Sequence, residues 1–226
     1  MALLSSSGKI SGKCGDFVFR NYNGRTIVCA RQGKQKKSND PAVLARRSKF
    51  KLANKLGSTL VRHPAMKSIW NQFGGDKKLK AYNKMVKEFY PHVTGSDIYY
   101  TFHMCPFIPN LNVQSPNIMQ KDYLLTAECR IAYSRFGLEN ISSVQLIALM
   151  FLTDPIDMNF PEYDILSFES DKVDFETDQK TKMEFKIREE NTEIIDVYSE
   201  RKMFYIFAAY DKNQNVIGFS STFTFA

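Results

Sequence analysis

The stretch Lys202–Phe225, KMFYIFAAYDKNQNVIGFSSTFTF, holds two apolar, aromatic-rich runs around the polar turn DKNQN. Side chains that change face at every residue predict a β-hairpin here, with an inner face rich in Phe and Tyr. The same period of two recurs upstream. DYLLTAECRIAYSRF (122–136), SVQLIALMFL (143–152), YDILSFES (163–170), DKVDFETD (171–178) and TKMEFKIREE (181–190) all read as strands. SVQLIALMFL is apolar at nearly every position, as a strand buried on both faces must be. Six or seven short strands at this spacing predict an antiparallel β-sandwich with immunoglobulin-like topology over residues 96–226.

Towards the N-terminus the period lengthens to about 3.6. Asp40 and Pro41 open a helix expected to run to about Val61, with Phe50, Ala53, Leu56 and Leu60 as its apolar stripe. Pro64 starts a second helix that ends at Gly74-Gly75. Asp76 is read as the cap of a third, striped by Leu79, Tyr82, Val86 and Phe89 and closed by Pro91. Residues 40–95 are therefore a basic region of three helices, in which Trp70 reads as a core residue. Residues 1–39 form an arm and hairpin. DFVFR and RTIVCAR flank NYNG, whose Asn23-Gly24 pair suits a type I′ turn. Gly8, Gly12 and Gly15 precede it as a spaced series. The expected fold class is α+β.

Charge is divided along the chain. Residues 1–100 carry 20 Lys/Arg against 5 Asp/Glu, and residues 101–226 carry 11 against 19. A split of +15 and −8 implies separate partners for the two halves, or the basic half of one copy meeting the acidic half of another. No apolar run is long enough for a membrane-spanning helix. MALLSSSGKISGK lacks the apolar stretch of a signal peptide, so synthesis in the cytoplasm is expected, with a virion as a destination. Cys14, Cys29, Cys105 and Cys129 form no C-x-x-C pair and read as reduced thiols.

No G-x-S-x-G, H-E-x-x-H or phosphate-loop pattern occurs, and no enzyme activity or cofactor is expected. His103 and Cys105 could start a metal site, but no second pair stands at ligand spacing, so no metal is expected. His63 and His92 adjoin prolines at helix ends and read as exposed. Two functional readings remain. A glycine-spaced hairpin too small to be stable alone suits subunit contact, through Gly12, Gly15, Phe17, Phe19, Arg20, Gly24, Arg25 and Arg31. The alternative is nucleic-acid binding by Arg46, Arg47, Lys49, Lys51, Lys77, Lys78 and Lys80.

GKISGKCGDFVFRNYNGRTIVCAR, DPAVLARRSKFKLANKL and KAYNKMVKEF together resemble a family of uncharacterised proteins of Bacteroidota and their phages. Its members open with a G-x-x-x-G-x-x-G arm and a basic hairpin, followed by a helix, an A-Y-N segment and a β-rich half. The resemblance covers about residues 8–90. Cys29-Ala30 before Arg31 and the lysine-rich helices depart from the pattern. It implies a non-enzymatic role, with self-association or other structural proteins as partners, in a virion or similar assembly.

Overall fold

The computed structural model describes residues 2–4, 10–22, 25–31, 33, 38–121, 123–176 and 179–225. They form two compact units, Met1–Asp40 and Pro41–Ala226.

The first unit is a four-stranded antiparallel sheet of β1 (Ala2–Leu4), β2 (Ile10–Cys14), β3 (Phe17–Tyr22) and β4 (Arg25–Ala30), paired in sequence order. The expected hairpin is its second half, with Phe17 opposite Ala30 and Tyr22 opposite Arg25. Asn23 and Gly24, read as its turn, and Gly8 lie outside the described residues. The glycine arm contributes β2, which pairs Gly12 with Phe19 and Cys14 with Phe17. Gly12 and Gly15 both take positive φ (113° and 55°). Such angles cost a residue with a Cβ energy and cost glycine little, so Gly12 can take one in the middle of β2, between its partners Ala2 and Phe19, and Gly15 can take one in the reversal into β3.

The second unit combines helices with two sheets. The helices are α1 (Pro41–Leu60), α2 (Pro64–Gln72) and α3 (Ala81–Phe89), followed by a 3-10 turn at Tyr90–His92. The α1 stripe is rotated from its expected phase. Leu52, Ala53, Leu56 and Leu60 are buried, while Phe50 is exposed. Asp76 does not cap α3, which starts five residues later. Its carboxylate accepts the Lys78 N–H in a turn instead.

Strands β5 (Leu111–Lys121), β6 (Leu124–Ser134), β7 (Ser143–Pro155), β8 (Tyr163–Glu169), β9 (Val173–Asp174) and β10 (Thr181–Lys186) follow. A fourth helix, α4 (Glu189–Asp196), precedes β11 (Tyr198–Tyr210), β12 (Val216–Phe219) and β13 (Phe223–Phe225). Several of these elements depart from the expected pattern: DKVDFETD is strand only at Val173–Asp174, and VIGFSSTFTF is divided into β12 and β13. β5 is an additional strand, and TKMEFKIREE is strand only to Lys186 before the chain turns into α4. One sheet has the order β10-β6-β5. The other has β12-β11-β7-β8, with β13 added beside β11 and β9 beside β7.

The two sheets face each other across one core. Leu125, Ala127, Cys129 and Ile131 of β6 meet Leu146, Ala148 and Met150 of β7 and Tyr205 and Phe207 of β11. The opposite face of the larger sheet meets the helices in a second core. There Ile147, Leu149 and Phe151 of β7 and Phe204, Ile206 and Ala208 of β11 pack with Leu52, Leu56, Ile69 and Phe89. The unit is thus helix layer, six-stranded sheet and three-stranded sheet, and β7 and β11 are apolar through their middles because both of their faces are covered. Trp70 belongs to the helical core, its indole N–H donating to the Met104 carbonyl at 3.0 Å.

Candidate functional site

Strand alternation divides the side chains of the N-terminal sheet between two faces. The cross-strand pairs Phe19–Val28, Phe17–Ala30 and Cys14–Phe17 fix one of them. Ile10, Cys14, Phe17, Phe19, Val28 and Ala30 therefore share a face, with Asn21 and Thr26 at one end joined by a hydrogen bond of 3.0 Å. The other face carries Lys13, Val18, Arg20, Tyr22, Arg25, Ile27 and Cys29. None of residues 10–22, 25–31 and 33 is buried. Phe17 and Val28 are each 54% exposed and Tyr22 66%. A sheet with an apolar face open to water is short of a layer, since sheets are stabilised by covering that face.

Among the described residues the outer edge of β4 is unpaired as well. The Arg31 N–H donates to the Asp16 carbonyl across the β3–β4 ladder, and the register runs on without a shift. In an antiparallel pair, backbone groups point to the partner at every second residue. Arg25, Ile27 and Cys29 thus point inward, and Thr26, Val28 and Ala30 direct N–H and C=O outward. Both edges of the three-stranded sheet of the second unit are guarded. β5 carries Pro116 and two register shifts, and β10 alternates Lys182, Glu184 and Lys186 with less polar residues. Such devices discourage strand addition. β4 has one charge, at its first residue, and neither proline nor bulge.

The sheet brings together Gly12, Gly15, Phe17, Phe19, Arg20, Arg25 and Arg31 of the expected contact set, while Gly24 lies outside the described residues. The two phenylalanines fall on the apolar face and the arginines on the other, a division visible only once the register is known. The helical cations are divided between two segments. Arg46, Arg47, Lys49 and Lys51 lie on α1, Lys77, Lys78 and Lys80 in the turn before α3, and Lys49 Nζ sits 4.9 Å from the Tyr90 ring centroid.

His63, expected to be exposed, is buried. Its Nδ1 lies 2.9 Å from Glu169 Oε2 and its Nε2 2.8 Å from Ser167 Oγ. The order matches a nucleophile, base and orienting acid. Here, however, the serine is half-buried in mid-strand and the carboxylate is the exposed member. We read it as a clamp that holds the α1–α2 corner to edge strand β8.

His103 stacks edge-on against His92 and Phe107, and burial, with His92 beside it, lowers its pKa. Among the described residues no three His, Cys, Asp or Glu side chains are placed to hold a metal ion, and no helix is long and apolar enough to cross a membrane. A depression of about 590 Å³ beside Phe73, Tyr133 and Phe136 is walled by Asn110. Both ends of that amide are already engaged, with the Ile217 carbonyl and the Phe219 N–H.

Cys14 and Cys29 are exposed, on opposite faces of their sheet, and Cys105 and Cys129 are buried. Burial pushes the Cys129 thiol up to about 12, and Cys105 further still. Thiolate is the reactive form. A thiol reagent at pH 8 is therefore expected to titrate two cysteines in the native chain and all four once it is unfolded. The same shifts weaken the fold in alkali. The buried thiols contribute fully below the unfolded value near 9.0, and that contribution fades as pH rises towards the folded one. The unfolding free energy measured in urea should fall above pH 9, by at most about 1.4 kcal/mol per thiol for each pH unit.

No family model matches the sequence, and no curated protein matches it. Among solved structures, a DUF3823 family protein from Bacteroides ovatus is similar at 14% identity and a TM-score of 0.28, over 51% of this chain and 53% of that one. A DUF3823 family protein from Parabacteroides merdae is similar at 10% identity and 0.29, over 52% and 53%. The GH3 β-glucosidase of Bifidobacterium adolescentis matches at 10% and 0.26, over 70% of this chain and 23% of its own. The chain thus spans about half the length of the two DUF3823 proteins, and at these scores the likenesses assign it neither family nor activity.

Proposed function

We propose that the protein is a non-enzymatic structural subunit of a larger assembly, a phage virion or similar multi-subunit particle, joined through its N-terminal sheet. One observation carries this reading: a four-stranded sheet with an apolar face on which Phe17 and Val28 are exposed and Phe19 is half-buried. A contact with another copy or another structural protein supplies the missing layer, and the open edge of β4 supplies main-chain hydrogen bonds to a partner strand. The strand orders β10-β6-β5 and β12-β11-β7-β8 support an immunoglobulin-like topology for the sandwich that the sheet would tether. A nucleic-acid role for the helical cations has less support, because they are split between α1 and the turn before α3.

Light scattering on the full chain tests the proposal. The wild type is expected to exceed the 26.1 kDa of one copy. Phe17→Asp, which charges the apolar face, and Val28→Pro, which removes an outward N–H without touching the β3–β4 ladder, should each return the mass towards a monomer. A wild-type monomer at low and moderate salt would reject it.

A further inference from the structure

The second face of the N-terminal sheet has a different chemistry. Lys13, Arg20, Arg25 and Arg31 stand on it with Tyr22, and all five are exposed. Asp16 is the one acidic residue between Ile10 and Arg31, and among the described residues none of the four cations has an ion-pair partner. The register sets their spacing. Arg20 lies opposite Ile27, two residues along β4 from Arg25, and Lys13 lies opposite Val18, two residues along β3 from Arg20. Strand separation and rise together give steps of about 8 Å between successive Cα atoms of Arg25, Arg20 and Lys13, in a diagonal row. Lys13, Arg20 and Arg31 also line a depression of about 390 Å³ together with Val18, Cys29 and Ala30. Tyr22 sits at the head of the row, opposite Arg25.

We propose that this face binds single-stranded nucleic acid. The diagonal row follows a chain of phosphates, which guanidinium groups recognise with paired N–H donors. An exposed tyrosine among cations offers a ring on which a base can stack, the combination that single-strand binders use. An acidic protein surface would use the cations but leave the ring without a role. A duplex would hide its bases from Tyr22. The site is separate from the apolar face, so one sheet can join a neighbour on one side and hold a nucleic-acid strand on the other.

Fluorescence anisotropy of a labelled oligonucleotide of about 20 residues, as DNA and as RNA, tests this on the full chain. Four neutralised phosphates give a slope of log affinity on log salt of about −3 for a single strand, or roughly fiftyfold weakening between about 50 and 200 mM salt. Arg20→Glu should shorten that slope and weaken binding at least tenfold. Tyr22→Ala should weaken it at least about fivefold. Lys77→Glu, on the helical side, should change it little. Arg20→Ala guards against misfolding in the charge reversal, and the mass of each variant by light scattering keeps this result separate from the assembly reading. The proposal is overturned by absence of binding at low salt, by a duplex that binds as tightly as the single strand, or by affinity that ignores Arg20 and Tyr22 while following Lys77.

Discussion

Truncating Phe204 to alanine is expected to lower the unfolding free energy by about 4 kcal/mol, a large fraction of what holds a domain folded. The reason is its place in a series of rings. Phe204 on β11 lies 5.1 Å from Phe102, Phe102 lies 5.0 Å from Phe89 on α3, and Phe89 lies 5.7 Å from Trp70 on α2. All four are buried, and each belongs to a different segment. Removing the ring at the sheet end therefore opens a cavity whose walls are a β-strand and a helix layer, neither of which can close it by a rotamer change. The midpoint of urea unfolding should fall with its slope unchanged. Phe50→Ala on exposed α1 surface serves as the contrast, with a change within about 0.5 kcal/mol. A Phe204→Ala loss below about 1 kcal/mol would mean that the helices do not pack on the sheet as described.

The second large effect is expected at Lys84, where methionine should cost about 3 kcal/mol. The lysine is only 5% exposed, and its ammonium donates to the carbonyls of Trp70 at 2.9 Å, Gly74 at 3.0 Å and Asn71 at 3.4 Å. Those of Trp70 and Asn71 are among the carbonyls that the end of α2 leaves without helical partners, and a cation suits the negative end of the helix dipole. Methionine keeps most of the volume and removes every donor, so the cost reports the carbonyls alone. Lys87→Met, exposed on the same helix, should be nearly neutral. Equal unfolding midpoints for the two variants would show that water replaces the ammonium at no cost.

How far the sequence foretells this fold depends on where each signal comes from. SVQLIALMFL is readable because a strand covered on both faces has no polar stretch, and the terminal run around Phe204 is readable for the same reason. The middle strand of the three-stranded sheet, β6, alternates buried and exposed residues as half-covered strands do. Its neighbour β5 escapes such a reading because Pro116 and a polar composition look like loop, whereas an edge strand with bulges tolerates both. The helix α4 escapes it because EENTEIID follows a charged strand without punctuation. On α1 the difference is one of phase: hydrophobicity alone puts Phe50 inside, and Leu52 takes that place. The sharing of β7 and β11 by two cores depends on contacts between residues far apart in sequence, which local periodicity does not contain.

At the candidate site, residue types are legible and their sorting is not. DFVFR and RTIVCAR announce a hairpin, and the glycines announce an irregular approach to it. Only the register separates Phe17 and Phe19 from Arg20, Arg25 and Lys13, and only the strand order leaves β4 at an edge. Lys84, one more cation by composition, is a buried cap, and His63 is a buried clamp. Both depend on a partner element that local sequence does not specify.

The pairing of β7 with β11 sets an order of events during synthesis. Residues 143–155 leave the ribosome as a long apolar strand, and β8 can cover one edge soon afterwards. The other edge waits for residues 198–210. At about 5–20 residues per second that interval lasts roughly 3–10 s, during which SVQLIALMFL meets solvent with one flank bare. A nascent chain stalled or cut between residues 156 and 197 would carry the most apolar strand of the protein with the edge meant for β11 unpaired, a natural substrate for chaperones and a seed for aggregates.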